Sequence, residues 1–224
     1  HNLPEATEAL IGRESEVDLL NRLLDQHRLV TVVGSSGIGK TRLALAVARQ
    51  RVDTHADGVW WVDLAVLRST DQIAPAMAQA AGLALGGGDA EKLLLLALQQ
   101  RDTLLVLDNC EHLVEGLAAL ATTLLEGAPR LRLLATSLEP LKLRGEQLCR
   151  LEGLAVPPGP MSLELARCFA AIQLLECRAQ AVDHRFRLSD ASVGAAIELC
   201  RQLDGIALAI DAADARAQRG LARA

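Results

Sequence analysis

The chain has 224 residues, half of them hydrophobic, which is enough apolar content for one sizeable core and a smaller helical appendage. With no tyrosine, two phenylalanines, two tryptophans and a net charge of −5 without any basic run, it offers neither a base-stacking platform nor electrostatic support for direct nucleic-acid binding by this segment. Cys110, Cys149, Cys168, Cys177 and Cys200 contain no C-x-x-C pair and indicate neither a disulfide framework nor a zinc site; the longest apolar run, Leu93–Leu98, is too short to cross a bilayer, and the start at His1 lacks a leader pattern and a Met, so an excised cytoplasmic domain with reduced, mostly buried thiols is expected.

Residues 14–26 place Val17, Leu20 and Leu24 at helical spacing, with Leu19 and Leu23 widening the stripe, so an amphipathic helix precedes the first strand. Leu29-Val30-Thr31-Val32-Val33 is a β-rich run that ends in a glycine loop, and Leu43, Ala44 and Val47 mark the helix after it. Strands at Val59–Val62, Thr103–Leu107 and Leu131–Thr136 then alternate with helices over 71–81, 90–100 and the stretch marked by Leu113, Leu117, Leu120 and Leu124; a fifth, weaker strand covers Gln147–Leu151. The alternation predicts an α/β fold with a central parallel five-stranded sheet flanked by helices. Three prolines in Val156-Pro157-Pro158-Gly159-Pro160 continue neither a helix nor a central strand. A linker is expected at 156–160, dividing a domain over 1–155 from an all-α lid over 161–224 with helices at 162–180, 190–203 and 206–218.

Gly34-Ser35-Ser36-Gly37-Ile38-Gly39-Lys40-Thr41 matches G-x-x-x-x-G-K-[ST] at every constrained position, between a strand and a helix, and predicts a P-loop. Its glycines let successive N–H groups turn inward toward a β-phosphate, and the helix adds its positive end. Lys40 is expected to bridge phosphate oxygens and Thr41 to ligate Mg2+, with Arg42 following among the nucleotide contacts. The metal needs a carboxylate at the end of a neighbouring strand, and Leu104-Leu105-Val106-Leu107-Asp108 offers Asp108. Asn109 comes next, and an amide cannot deprotonate water, which disfavours fast hydrolysis. Glu111 is a candidate base, although an acid in a helix's first turn also complements the macrodipole. His112 reads as a capping or surface histidine.

Taken with Leu10-Ile11-Gly12-Arg13-Glu14-Ser15-Glu16, Leu134-Ala135-Thr136-Ser137 and Leu203-Asp204-Gly205-Ile206-Ala207-Leu208-Ala209-Ile210, these motifs resemble the signal-transduction ATPases with numerous domains (STAND), related to the NB-ARC ATPases, specifically those of bacterial transcriptional regulators. The resemblance covers nearly the whole chain. It implies a nucleotide-contact role for Ile11, Gly12 and Arg13, and a place for Ala207 at the adenine. Two departures stand out: Leu138 occupies the position where the family carries an arginine that senses γ-phosphate, and Ala207 replaces the proline of Gly-Leu-Pro-Leu. Lys142 and Arg144 read as solvated loop charges, with a reach back from the loop to the γ-phosphate as the alternative, and Asp211 and Asp214 give the last helix an acidity that the sequence does not explain.

Three functions remain open on these residues. The first is an ATP- or ADP-binding, Mg2+-dependent switch, at most a slow ATPase, in which nucleotide bridges sheet domain and lid and partner domains read the packing. The resemblance implies a DNA-binding domain and helical sensor repeats elsewhere in the full protein, with nucleotide-dependent self-association open. The second is a cycling P-loop ATPase or kinase, against which Asn109 and Leu138 count. The third is a degenerate interaction scaffold, against which Lys40, Thr41 and Asp108 count.

Overall fold

The computed structural model describes residues 1–5, 9–84 and 86–212. The chain forms two compact units, each discontinuous in sequence: His1–Ala9, Glu16–Gly34 and Lys40–Leu151 make the first, and Leu10–Ser15, Ser35–Gly39 and the chain from Glu152 onward make the second.

The first unit is built on five strands, β1 (Leu29–Val33), β2 (Val59–Asp63), β3 (Leu104–Asp108), β4 (Arg132–Ser137) and β5 (Gln147–Arg150). They pair in parallel in the order β2-β3-β4-β1-β5, the five-stranded parallel sheet that the alternation predicts. Every residue of β1 and β3 is buried, which is why both read as unbroken apolar runs and not as alternating ones. The weak fifth strand gains one more rung beyond its end, where the Leu151 N–H donates to the Val33 carbonyl at 2.8 Å.

Helix α1 (Glu14–Gln26) precedes β1, and α2 (Lys40–Gln50), α3 (Ile73–Ala80), α4 (Ala90–Leu98) and α5 (Val114–Gly127) lie between the strands in sequence. α1 buries Val17, Leu20 and Leu24 as its spacing requires, while Leu19 is 39% exposed and does not widen the stripe. The start expected at residue 71 is a short 3-10 turn, Thr70–Gln72, before α3 proper. Leu94, Leu98, Leu117, Leu120 and Leu124 join Leu105 and Leu133 in the main core.

The second unit holds α6 (Leu163–Ala166), α7 (Ala170–Val182) and α8 (Val193–Gln202) around Leu154, Ile172, Leu175, Ile197 and Ile210. The single helix expected over 162–180 is therefore two: Phe169 adopts an extended backbone (φ −94°, ψ 130°) and breaks the run, although the apolar spacing continues through it. Residues 207–212 are helical, and the rest of the expected 206–218 helix, with Asp214, lies outside the described residues. Asp211 accepts from Arg178 Nε at 2.7 Å, which accounts for an acid in this helix. Cys110, Cys149 and Cys200 are buried, Cys168 and Cys177 exposed, and none is in a disulfide. No helix among the described residues is long and apolar enough to cross a membrane.

Candidate functional site

In the first unit the candidate site forms at the C-terminal ends of the central strands, where open parallel sheets bind ligands. β1 ends at Val33 and the chain passes through the glycine loop into α2, whose first residue is Lys40, so the helix's positive end faces the loop. Thr41, one residue on, reaches across to the end of β3, where its Oγ1 donates to Asp108 Oδ1 at 2.9 Å. Lys40 Nζ donates to the Gly34 carbonyl at 2.9 Å.

β4 lies between β1 and β3, and Leu107 pairs with Ala135, so the next rung sets Thr136 beside Asp108. Thr136 Oγ1 donates to Asp108 Oδ1 at 2.5 Å and accepts the Asn109 N–H at 3.1 Å. Asn109 sits in the left-handed region (φ 62°, ψ 55°), a conformation asparagine tolerates better than most residues. Its Nδ2 donates to Asp108 Oδ2 at 3.2 Å and to Asp63 Oδ1 at 3.4 Å. The amide thus fastens the carboxylates together and carries no base.

Burial pushes the Asp108 carboxyl above the ordinary aspartate value; hydrogen bonds from Thr136 and Thr41 pull it back, and the negative charges of Asp63 and Glu111 push it up further. For Lys40 the desolvation of its ammonium lowers the pKa, opposed by the fields of Glu111 and Asp108. Glu111 follows on a 3-10 turn, Cys110–His112, and its Oε2 is sealed from solvent without a hydrogen-bond partner. Such an oxygen is costly unless something satisfies it. His112 is exposed, with Nε2 3.1 Å from the Leu67 carbonyl.

The donor set fits Mg2+. A hydroxyl and a carboxylate are hard oxygen ligands, and Mg2+ usually takes only one or two protein oxygens, completing its shell with phosphate and water. Among the described residues no group of three or more His, Cys, Asp or Glu side chains is placed to hold a metal ion.

The second unit holds the other candidates. Ser35 and Ser36 are exposed in the loop and Ile38 is buried. Ile11 and Ala207 pack on the second core. Gly12 (φ +64°) lies so close to α7 that a Cβ would stand 2.1 Å from Ala170 Cβ. Arg13 is only 4% exposed, and its guanidinium donates to main-chain carbonyls, at 3.2 Å to Ile38 and 2.7 Å to Glu152. Arg42, in the first unit, donates to the Ala9 carbonyl at 3.2 Å.

Leu138 is 48% exposed just past β4. Neither alternative sensor joins the cluster: Lys142 pairs with Glu139 at 3.8 Å, and Arg144 lines a cleft with His27 and Arg28 at the end of β1 opposite the glycine loop. Thr136, the bridging role of Asn109 and the main-chain N–H of Leu208, which donates to the Gly37 carbonyl at 3.0 Å, were not foreseen. Thr136 carried a signal: a hydroxyl ending an apolar strand in Leu-Leu-Ala-Thr-Ser.

Residues 22–144, more than half of the chain, match the family of the AAA domain. An uncharacterized protein of Mycobacterium tuberculosis is 36% identical over 217 residues, covering 96% of this chain and 52% of its own length. A second protein of that organism, provisionally named an HTH-type transcriptional regulator, is 38% identical over 198 residues, 88% of this chain and 21% of the relative. The chain therefore spans about half the length of the first relative and about a fifth of the second. Among solved structures, a STAND protein with a tetratricopeptide repeat sensor from Pyrococcus horikoshii shares the fold at TM-score 0.56 and 15% identity, over 91% of this chain and 29% of that one. Phosphate loop, strand order, strand-end acid and family match agree, and the chain belongs to the AAA-domain family of P-loop ATPases.

Proposed function

We propose that this chain is the ATP- or ADP-binding regulatory switch of a larger, STAND-type signal-transduction ATPase, with residues 1–155 as its nucleotide-binding domain and 161–224 as its helical lid. The observation that carries the reading is the pairing of Thr41 Oγ1 with Asp108 at 2.9 Å beside an Asn109 amide already committed to two carboxylates. Thr41 and Asp108 would hold Mg2+, and Lys40 and the loop N–H groups the phosphates. Mg2+ when bound supplies charge neutralisation at the phosphates. Glu111, whose Oε2 is unsatisfied and whose field reaches Lys40 and Asp108, would be the base, while the amide of Asn109 directly after Asp108 cannot deprotonate water, which supports slow hydrolysis.

Control of transcription is supported by the relative named as a helix-turn-helix regulator and would act through a DNA-binding domain outside these residues. The test is to denature purified protein, identify released nucleotide by mass spectrometry, and repeat with Lys40→Ala. Stoichiometric ADP in wild type and none in the variant is the expected result. Failure of wild type to bind either nucleotide with added Mg2+ overturns the reading, and turnover on the order of 1 per second or faster replaces it with a cycling enzyme.

A further inference from the structure

Within the second unit, two consecutive peptide groups of the phosphate loop are held by their carbonyls. The Gly37 carbonyl accepts the Leu208 N–H at 3.0 Å, and the Ile38 carbonyl accepts Arg13 Nη2 at 3.2 Å. A trans peptide is planar, with its C=O and N–H on opposite sides, and the described residues contain no cis bond. Pinning the Gly37 carbonyl therefore turns the Ile38 N–H the other way, and pinning the Ile38 carbonyl does the same for the Gly39 N–H. Gly37 (φ +74°) and Gly39 (φ +109°) supply the left-handed backbone that such a run of N–H groups needs to form an anion-binding concavity.

Arg13 is well placed to impose that direction. It is 4% exposed, and the same Nη2 donates to the Glu152 carbonyl at 2.7 Å, which anchors the guanidinium to the chain just beyond β5. Leu208 contributes its main-chain N–H, and its side chain lies beside the same glycine, where a Cβ on Gly37 would stand 2.8 Å from Leu208 Cβ.

We infer that Arg13 is a positioning residue for phosphate binding: it aims the Gly39 N–H, as Leu208 aims the Ile38 N–H, at the nucleotide's phosphates, and it acts through the loop without contacting the nucleotide. The inference rests on the nucleotide reading above and gives the arginine of the Gly-Arg-Glu motif an indirect role. It predicts an effect confined to phosphates.

The experiment titrates the full chain with Mg-ADP, pyrophosphate and adenosine by calorimetry, comparing wild type with Arg13→Met, Arg13→Lys and Leu208→Pro. Arg13→Met should weaken ADP and pyrophosphate about tenfold or more and leave adenosine unmoved, and Arg13→Lys should recover part of the loss. Leu208→Pro removes one N–H in the first turn of a helix, where proline is tolerated, and should repeat the phosphate-specific loss; it decides the matter if Arg13→Met does not fold. Equal weakening of adenosine and ADP overturns the inference in favour of direct base contact, and unchanged pyrophosphate affinity in Arg13→Met and Leu208→Pro overturns it outright. Wild type that binds neither ADP nor pyrophosphate overturns the nucleotide reading and this inference together, a result distinct from wild-type binding that the variants do not alter.

Discussion

Replacing Gly12 by alanine asks two things of the second unit at once. Alanine must hold φ near +64°, which costs roughly 1–2 kcal/mol for an L-residue, and its Cβ must fit 2.1 Å from Ala170 Cβ, where no two carbons remain without a shift. Ala170 is the first residue of α7 and 7% exposed, so relief requires moving that helix, and overpacking of this kind costs about 1–3 kcal/mol. Gly12→Ala should therefore destabilise by roughly 2–5 kcal/mol. Ala170→Gly alone should cost no more than about 1 kcal/mol. Combined, the two variants should be more stable than their separate effects predict by about 1–3 kcal/mol, because the clash disappears while the backbone cost stays. Urea unfolding followed by far-ultraviolet circular dichroism measures all four corners of the cycle. Additive effects, or a Gly12→Ala protein as stable as wild type, refute the packing account and return Gly12 to a purely ligand-facing role.

Asp108→Asn should separate stability from binding. Because burial raises the Asp108 pKa in the folded state, its favourable contribution is complete below the unfolded aspartate value and is lost as pH rises through the folded one. The variant should therefore melt higher than wild type at neutral pH, with the gap closing below about pH 4, while the difference in ADP affinity between Mg2+ and EDTA shrinks; a variant that melts lower at pH 7 contradicts the sign. Glu111→Gln should keep nucleotide affinity and slow single-turnover ATP hydrolysis by about a hundredfold or more, and an unchanged rate removes Glu111 as the base.

What the sequence disclosed followed from how local each feature is. The β3 run Leu104–Asp108 and the loop Gly34–Thr41 are contiguous, so composition and order announce them, and parallel strands buried on both faces leave no ambiguity of period. The role of Thr136 depends on β4 lying between β1 and β3, a fact of strand order that the β4 residues do not encode. The break at Phe169 was hidden for the opposite reason: apolar spacing persists across it, while no glycine or proline marks it. Arg13 read as a nucleotide contact through resemblance, whereas its carbonyl partners, Ile38 and Glu152, carry no side-chain signature at all.

The hydrogen bond from Leu208 to Gly37 also sets a clock on biosynthesis. The two residues are separated by about 170 positions, so at ordinary translation speeds of about 5–20 residues per second the ribosome needs roughly 10–30 s to add the donor after the glycine loop is made. During that interval the first unit can collapse around β1, β3 and β4, but the glycine loop still lacks one of the two groups that hold its carbonyls. The pair of donors to the loop's carbonyls is thus complete only once Leu208 has been added, and a nascent chain arrested after β5 would carry the complete motif in an unfinished form.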